Sequence, residues 1–452
     1  PNPKDDLIYN EINIGELEIV SSVQLSKPND KISISSVEYN ATRDYLLVGC
    51  RFATMLVYKV DSEHNYPIAV YRSLFKGDTV SCMKSLDSDT DCLLYLTNKD
   101  GTYHIMKINS DLGYEFIQSS RIQKGFLEGI IKLPDGDIIL YGFKSDSFFV
   151  WNETKQYEIL REICGGPHRR WFFKHWIDPA SKRLRYRFTY TRASEVQVVQ
   201  HGESYAVDVL TPGLHGREIR DICVVNTRNG KDEKIVITGS EDTTLKISTL
   251  KANGQMTVHW TYREHVAGLQ SIHAINDEFV LSSSAKEELF LWKISECDGK
   301  QCLTLHGCLP PSDENPDLRI MDFDTMEVFR GDCGEPSGFL LVTVYSNSVI
   351  KVIYYDYKEA KFTVIVDDSY MMCCIFQTKI VCLNDKLYVM IGSTNGHLTM
   401  YDLGEVTKNY FAVSQNHSLL AIIKTEGFPL PKEPVKFGKI IFNQQLHQSS
   451  IK

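Results

Sequence analysis

The stretch Ile235-Val236-Ile237-Thr238-Gly239-Ser240-Glu241-Asp242-Thr243-Thr244-Leu245-Lys246-Ile247-Ser248 is the clearest structural signal in this 452-residue sequence. It contains an apolar run that ends in small residues, a tight Ser-x-Asp turn, and a second apolar run. His215-Gly216-Arg217-Glu218-Ile219 lies upstream and begins another run. Apolar runs of this length bounded by turn residues predict β-strands that are buried on both faces.

The same turn position recurs along the whole chain. It can be placed at Phe52, Asp100, Ser145, Ala193, Asp242, Lys286, Asn347 and Asn395. Six of the seven intervals are 44 to 49 residues, and the seventh is 61. A period of about 40–50 residues with four short strands is typical of propeller blades. We therefore predict an all-β fold made of degenerate four-stranded blades of a WD-type β-propeller.

A WD-type blade usually contains a hydrogen-bonded chain of His, Ser or Thr, Asp and Trp. The fifth unit has Ser248 at the Trp position, and the sixth has Lys286 at the Asp position. Each blade is therefore expected to satisfy its buried polar groups differently. The repeat explains these residues better than a catalytic triad does. The predicted structural polar groups are His215, Ser240, Asp242, His265 and Trp292.

Eight units exceed the seven blades commonest for this repeat. We predict parts of two adjacent seven-bladed propellers, with four blades in residues 11–205 and the blades of the next propeller in residues 206–452. The division falls near Tyr205–Leu214, and His447–Lys452 resembles the start of a truncated further blade. The chain is therefore expected to belong to a longer multi-propeller protein. The alternative is one ring whose closing blade is shared between the chain ends.

The composition favours a folded protein of a reducing compartment. Hydrophobic residues make up 43% and charged residues 24% of the chain. No run approaches the roughly 18 apolar residues of a membrane span, and Pro1–Asp6 has no signal-peptide core. The 12 cysteines are scattered without a disulfide framework. We expect a cytosolic or nuclear protein, with the cytoplasm as the predicted location.

The segment 168–192 departs from the acidic background of a chain with net charge −9. It holds eight Lys or Arg residues against one acid, Asp178, and it is rich in aromatic residues. Cations bind phosphate and aromatic rings stack on unpaired bases, so the mixture suits RNA. The predicted tRNA-contacting residues are Arg169, Arg170, Trp171, Lys174, Lys182, Arg183, Arg185, Arg187 and Arg192.

The same segment has a structural interpretation. Tyr186, Phe188 and Tyr190 alternate with polar residues, which is the pattern of a strand with one apolar face. The aromatic side chains would then pack in the core of a blade, and the cations would pair with acidic neighbours or contact protein.

No motif in the sequence predicts catalysis, a cofactor or a metal. Cys297, Cys302, His306 and Cys308 are zinc-ligand types, but their spacing matches no common zinc site. A phosphate-binding Gly-x-x-x-x-Gly-Lys loop and a His-Glu-x-x-His pair are both absent from the sequence. We therefore predict a non-catalytic binding platform.

Three stretches are more specific than the blade pattern. They are Glu162-Ile163-Cys164-Gly165-Gly166-Pro167-His168-Arg169-Arg170-Trp171, then Phe188-Thr189-Tyr190, then Gly213-Leu214-His215-Gly216-Arg217-Glu218-Ile219-Arg220-Asp221. The Cys-Gly-Gly-x-His-Arg-x-Trp loop followed by His-Gly-Arg-Glu-Ile resembles the large multi-propeller subunit of the tRNA ribose 2′-O-methyltransferase that modifies the wobble nucleotide. The close resemblance covers about residues 157–250.

This resemblance implies a heteromeric complex in which the two subunits have different roles. The methyltransferase subunit would carry the catalytic residues and S-adenosylmethionine, while this chain would hold no cofactor, dock the enzyme and help to position tRNA. The alternative from another class is a protein-only scaffold, such as an adaptor for trafficking or ubiquitin ligation, since propellers present many loops on rigid blades.

Overall fold

The computed structural model describes residues 7–29, 32–60, 65–77, 79–86, 92–122, 125–134, 136–181, 183–202, 214–227, 233–297, 299–314, 316–329, 336–370, 373–384, 386–408, 410–413, 421–423, 431, 433–438 and 440–447. The chain forms two compact units, Pro1–Gly213 and Leu214–Lys452. The structure is almost entirely β in its described residues. The blades are numbered 1 to 8 in chain order.

The first unit holds a hairpin and four blades. The hairpin is β1 (Leu7–Asn13) and β2 (Glu18–Leu25). Blade 1 is β3 (Ile34–Tyr39), β4 (Tyr45–Cys50), β5 (Thr54–Lys59) and β6 (Ala69–Tyr71). Blade 2 is β7 (Val80–Leu86), β8 (Cys92–Asn98), β9 (Thr102–Ile108) and β10 (Tyr114–Arg121). Blade 3 is β11 (Phe126–Lys132), β12 (Ile138–Lys144), β13 (Ser147–Asn152) and β14 (Tyr157–Ile163). Blade 4 has β15 (Trp171–Ile177), β16 (Leu184–Arg192) and β17 (Glu195–Gly202).

The second unit holds blades 5 to 8. Blade 5 is β18 (Ile219–Asn226), β19 (Glu233–Ser240), β20 (Leu245–Lys251) and β21 (Met256–Tyr262). Blade 6 is β22 (Leu269–Ala274), β23 (Phe279–Ser284), β24 (Leu289–Cys297) and β25 (Lys300–Cys308). Blade 7 is β26 (Ile320–Phe329), β27 (Pro336–Tyr345), β28 (Val349–Asp356) and β29 (Lys361–Ser369). Blade 8 contains β30 (Ile375–Leu383), β31 (Lys386–Ser393), β32 (His397–Asp402) and β35 (Ile440–Gln445).

These sheets confirm the predicted WD-type blades. Each of the eight predicted turn positions lies between the second and third strands of its blade. All strand pairs within the blades are antiparallel, which suits hairpins joined by short turns. The apolar runs are buried on both faces, because neighbouring blades pack on either side. In the first unit, Leu47 of blade 1 shares a core cluster with Leu94 and Leu96 of blade 2.

Blade 8 departs from the regular pattern because its fourth strand is distant in sequence. The helix α1 (Leu403–Thr407) and the short strands β33 (Phe411–Val413) and β34 (Ala421–Ile423) intervene between β32 and β35. Strand β34 pairs in parallel with β26 at one edge of blade 7. Val435 bridges Val366 of β29 at the other edge of that blade. The inserted segment therefore contacts both edges of blade 7 before β35 completes blade 8.

The assignment of the two groups of blades to two seven-bladed rings stays a prediction. The further blade expected from His447 onward falls, apart from His447 itself, outside the described residues. Within the described residues, no helix is both long and apolar enough to cross a membrane.

Candidate nucleic-acid interface

The loop before β15 presents Arg169 and Arg170. Gly165 and Gly166 both have φ of +88°, a left-handed conformation that favours glycine. Their N–H groups donate to the carbonyl of Asp146, at 2.8 and 3.1 Å. A Cβ on Gly166 would lie 2.9 Å from the backbone carbonyl of Ser145, so the Cys-Gly-Gly sequence fits this close approach. The loop is thereby fixed to the β12–β13 turn of blade 3.

Strand β16 separates aromatic from cationic side chains. Tyr186, Phe188 and Tyr190 are buried, while Arg185 and Arg187 on the alternate positions are exposed. Phe188 stacks on Phe148 of blade 3, with 3.9 Å between ring centroids. These three aromatic side chains therefore belong to the core between blades 3 and 4, as the structural interpretation of the sequence proposed.

Tyr190 and Trp171 lie opposite each other on the core side of the sheet. The Tyr190 hydroxyl donates a hydrogen bond to Glu162 Oε1 at 2.9 Å, and burial together with this bond raises the tyrosine pKa. The half-buried Trp171 packs edge-on against Phe143, with centroids 5.2 Å apart. Trp171, one of the predicted RNA-contacting residues, thus packs against blade 3 and does not lie on the exposed face.

The opposite face of this sheet, which we call the outer face, carries exposed and half-buried side chains that pair across the three strands. Phe172, Thr189 and Val198 lie in one cross-strand row, and Lys174, Arg187 and Gln200 in the next. The exposed fractions are 62% for Phe172 and 57% for Val198. The outer face therefore alternates apolar and cationic positions.

The predicted cations differ in their surroundings. Arg185 Nε lies 3.1 Å from Asp178 Oδ2. The pKa of Asp178 is lowered by N–H donors from Ser181 and Ala180 and by the Arg185 guanidinium. Arg187 donates from Nε and Nη2 to Gln200 Oε1, at 3.0 and 2.8 Å. Arg185 is therefore partly neutralised, whereas Arg187 is held in place without losing its charge.

Four other predicted cations are exposed: Arg169, Arg170, Lys174 and Arg192. Arg183 is half-buried, and Lys182 lies outside the described residues. The structure thus places most of the predicted cations on blade 4 and its adjoining loop. Sequence reasoning did not single out Phe172 among the aromatic residues of the segment and missed Val198, although their strand alternation with Trp171 and Val199 carried the signal.

The polar chain of blade 5 differs in one partner from the sequence prediction. His215 Nδ1 lies 3.2 Å from Asp242 Oδ2, and its Nε2 lies 2.8 Å from Thr238 Oγ1. Ser240 Oγ instead accepts the Asp242 N–H and donates to the Arg217 carbonyl. Asp242 and His215 are therefore brought together, while the hydrogen bonds of Ser240 fix the turn.

Blade 6 replaces the expected aspartate by an acid two residues beyond Lys286. Glu288 Oε2 lies 3.0 Å from His265 Nδ1, and His265 Nε2 lies 2.7 Å from Ser282 Oγ. The Trp292 indole donates to the same hydroxyl at 2.8 Å. Both polar chains lie within blades and link strands, so their geometry is that of structural networks.

The four zinc-ligand types of the sequence lie on the β24–β25 hairpin of blade 6 and differ in burial. Cys297 and Cys302 are buried, while His306 and Cys308 are exposed on β25. Among the described residues no group of three His, Cys, Asp or Glu side chains is arranged to hold a metal ion. Burial raises the pKa of Cys302 to about 12, which makes its thiol a poor ligand and nucleophile.

The comparisons with known proteins give one consistent result. No protein-family model matches the chain. Proteins named "tRNA (34-2'-O)-methyltransferase regulator WDR6" from Pongo abelii and Homo sapiens are each 29% identical over 182 residues, and the Mus musculus protein is 27% identical. The match covers 35% of this chain and 16% of the length of those relatives. This chain is therefore similar, over about a third of its length, to proteins named as regulators of a tRNA methyltransferase.

Proposed function

We propose that this chain is part of a non-catalytic accessory subunit that binds a tRNA ribose 2′-O-methyltransferase and positions tRNA for methylation of the wobble nucleotide. The observation that carries the proposal is the similarity to relatives named as regulators of a tRNA 34-2′-O-methyltransferase. The methyl donor, S-adenosylmethionine, would be bound by the methyltransferase partner.

The exposed cations of blade 4 support a role in holding tRNA. The rest of the chain has a net charge of about −16, so attraction to RNA must come from a local surface. Arg169, Arg170, Lys174 and Arg187 provide such a surface on a rigid sheet and its adjoining loop. Cations on rigid elements bind phosphate without the entropic cost of ordering a loop, which suits a positioning role.

A pull-down of the full-length protein from its own cytoplasm tests the proposal. Mass spectrometry and RNA sequencing are applied to the same eluate. We expect a methyltransferase and a restricted set of tRNAs, with the tRNAs released by salt. Stoichiometric protein partners without a methyltransferase or tRNA would reject the proposal and favour a protein-only scaffold.

A further inference from the structure

The outer face of blade 4 differs from the faces that pack between blades. The second strands of blades 1, 2, 3 and 5 are apolar at successive positions and buried on both faces, as at Leu46–Val48 and Ile235–Ile237. The second strand of blade 4, β16, places Arg185 and Arg187 on one face instead. Arg187 has no ion pair with an acid in the described residues, and burying such an arginine between blades would cost roughly several kcal/mol. This face is therefore built to remain in contact with solvent or with a charged ligand.

Two like charges face each other on this surface. Lys174 of β15 and Arg187 of β16 are direct cross-strand partners on the outer face. Like charges directly opposite each other destabilise a sheet unless an anion lies between them. Neither cation forms an ion pair with an acid in the part of the chain that the structure describes. The pair therefore has the chemistry of a phosphate site.

An exposed aromatic ring lies beside this pair. Phe172 is 62% exposed on β15, two residues before Lys174 on the same face, and Arg170 directly precedes the first residue of the strand. Thr191 N donates to the Arg170 carbonyl at 3.0 Å, so the ladder continues to Arg170. A cation, an aromatic ring and a second cation thus follow each other on one face. Such a column suits a strand of nucleotides, because bases stack on rings while phosphates contact the flanking cations.

We propose that the outer face of blade 4 binds unpaired nucleotides of RNA, with a base stacked on Phe172 and phosphates held by Arg170, Lys174 and Arg187. That the ligand is RNA rests on the proposed function. The new element is that the bound segment is single-stranded. In duplex RNA the bases are stacked within the helix and cannot lie on the Phe172 ring. Duplex binding would therefore lose the stacking contribution and retain only phosphate contacts.

Fluorescence anisotropy with the full chain tests this inference. The probes are a labelled single-stranded RNA of about 12 nucleotides and the same strand annealed to its complement. We expect Phe172→Ala to weaken single-strand binding by roughly tenfold or more and to leave duplex binding unchanged, while Phe172→Tyr retains binding. Phe52→Ala removes another exposed phenylalanine of the first unit and is the matched control. Circular dichroism verifies that each variant is folded.

The outcomes separate this inference from the proposed function. Unchanged single-strand binding by Phe172→Ala, or equal affinity for the duplex, overturns single-strand recognition even when tRNA still co-purifies with the full-length protein. Equal competition by polyglutamate also overturns it, because the face would then bind any polyanion. Loss of tRNA and methyltransferase from the pull-down rejects the proposed function independently of these measurements.

Discussion

In the polar network of blade 6, Glu288 takes the role of the aspartate that the repeat usually has at the position of Lys286. His265 is buried, and burial lowers the pKa of its imidazole although Glu288 opposes this effect. Burial would raise the pKa of Glu288, but hydrogen bonds from His265 and Ser284 lower it below its ordinary value. The glutamate is therefore a charged acceptor whose longer side chain reaches the imidazole from a position two residues further along the turn.

We expect Glu288→Ala to destabilise the protein by about 1–3 kcal/mol, because it leaves the buried Nδ1 of His265 without its charged partner. The free energy of unfolding is measured by urea denaturation followed by circular dichroism. Lys286→Gln is the matched control, since it changes the exposed residue at the position where the motif has its aspartate. If Lys286→Gln lowers the free energy of unfolding as much as Glu288→Ala does, Glu288 is not the residue that replaces the aspartate of the motif.

At the scale of strands, polar side chains connect the first strands of neighbouring blades. In the second unit, Asp221 Oδ2 accepts the Ile272 N–H at 2.7 Å, and Asp322 Oδ2 accepts the Thr378 N–H at 2.9 Å. In the first unit, Ser81 donates to the Leu127 carbonyl at 2.6 Å. Such bonds fix the offset between blades, which apolar packing alone specifies less strictly.

The Asp322 link makes stability depend on pH. Burial raises the pKa of Asp322 from its ordinary 3.8 to about 6, against opposing hydrogen bonds from Thr378 and Phe323. The folded state binds this proton more tightly than the unfolded chain does. The contribution of Asp322 to the free energy of unfolding therefore falls as pH rises from about 4 to about 6.

We expect Asp322→Asn to be more stable than the wild type by about 1–3 kcal/mol at pH 7, because the amide still accepts the Thr378 N–H without a buried charge. The difference should shrink towards zero below about pH 4. Urea denaturation over this pH range measures it, with the exposed Asp317→Asn as the control. A difference that is independent of pH would refute the assignment of this titration.

The strand pattern was predictable where neighbouring residues determine it. All eight turns were located from the sequence, since each lies between two apolar runs and six of the seven intervals are 44 to 49 residues. The fourth strand of blade 8 was not predicted from the sequence, because α1, β33 and β34 separate β35 from β32. The pairing of Thr399 with Asn443 therefore depends on tertiary contacts. For the same reason, Glu288 was missed as a partner of His265, whereas the alternation of β16 already indicated its buried and exposed faces.

At the scale of the whole molecule, RNA binding is expected to depend more on where the charges lie than on the net charge. The chain carries −9 overall, yet the segment 168–192 has eight cations and one acid. With a Debye length of about 8 Å at physiological salt, distant acids are screened from RNA bound at blade 4. Binding should therefore depend on where cations are removed, and not only on how many.

Replacement of Arg169, Arg170, Lys174 and Arg187 by glutamine should weaken tRNA binding and flatten its salt dependence. Each lost phosphate contact is expected to reduce the slope of log affinity against log salt by about 0.7–0.9. The matched control replaces four exposed lysines elsewhere, Lys251, Lys286, Lys358 and Lys361, and changes the net charge by the same amount. Titration of labelled tRNA at several salt concentrations measures both slopes. If the two variants lose affinity equally, the general charge of the protein controls binding; a selective loss in the first variant localises the contact to blade 4.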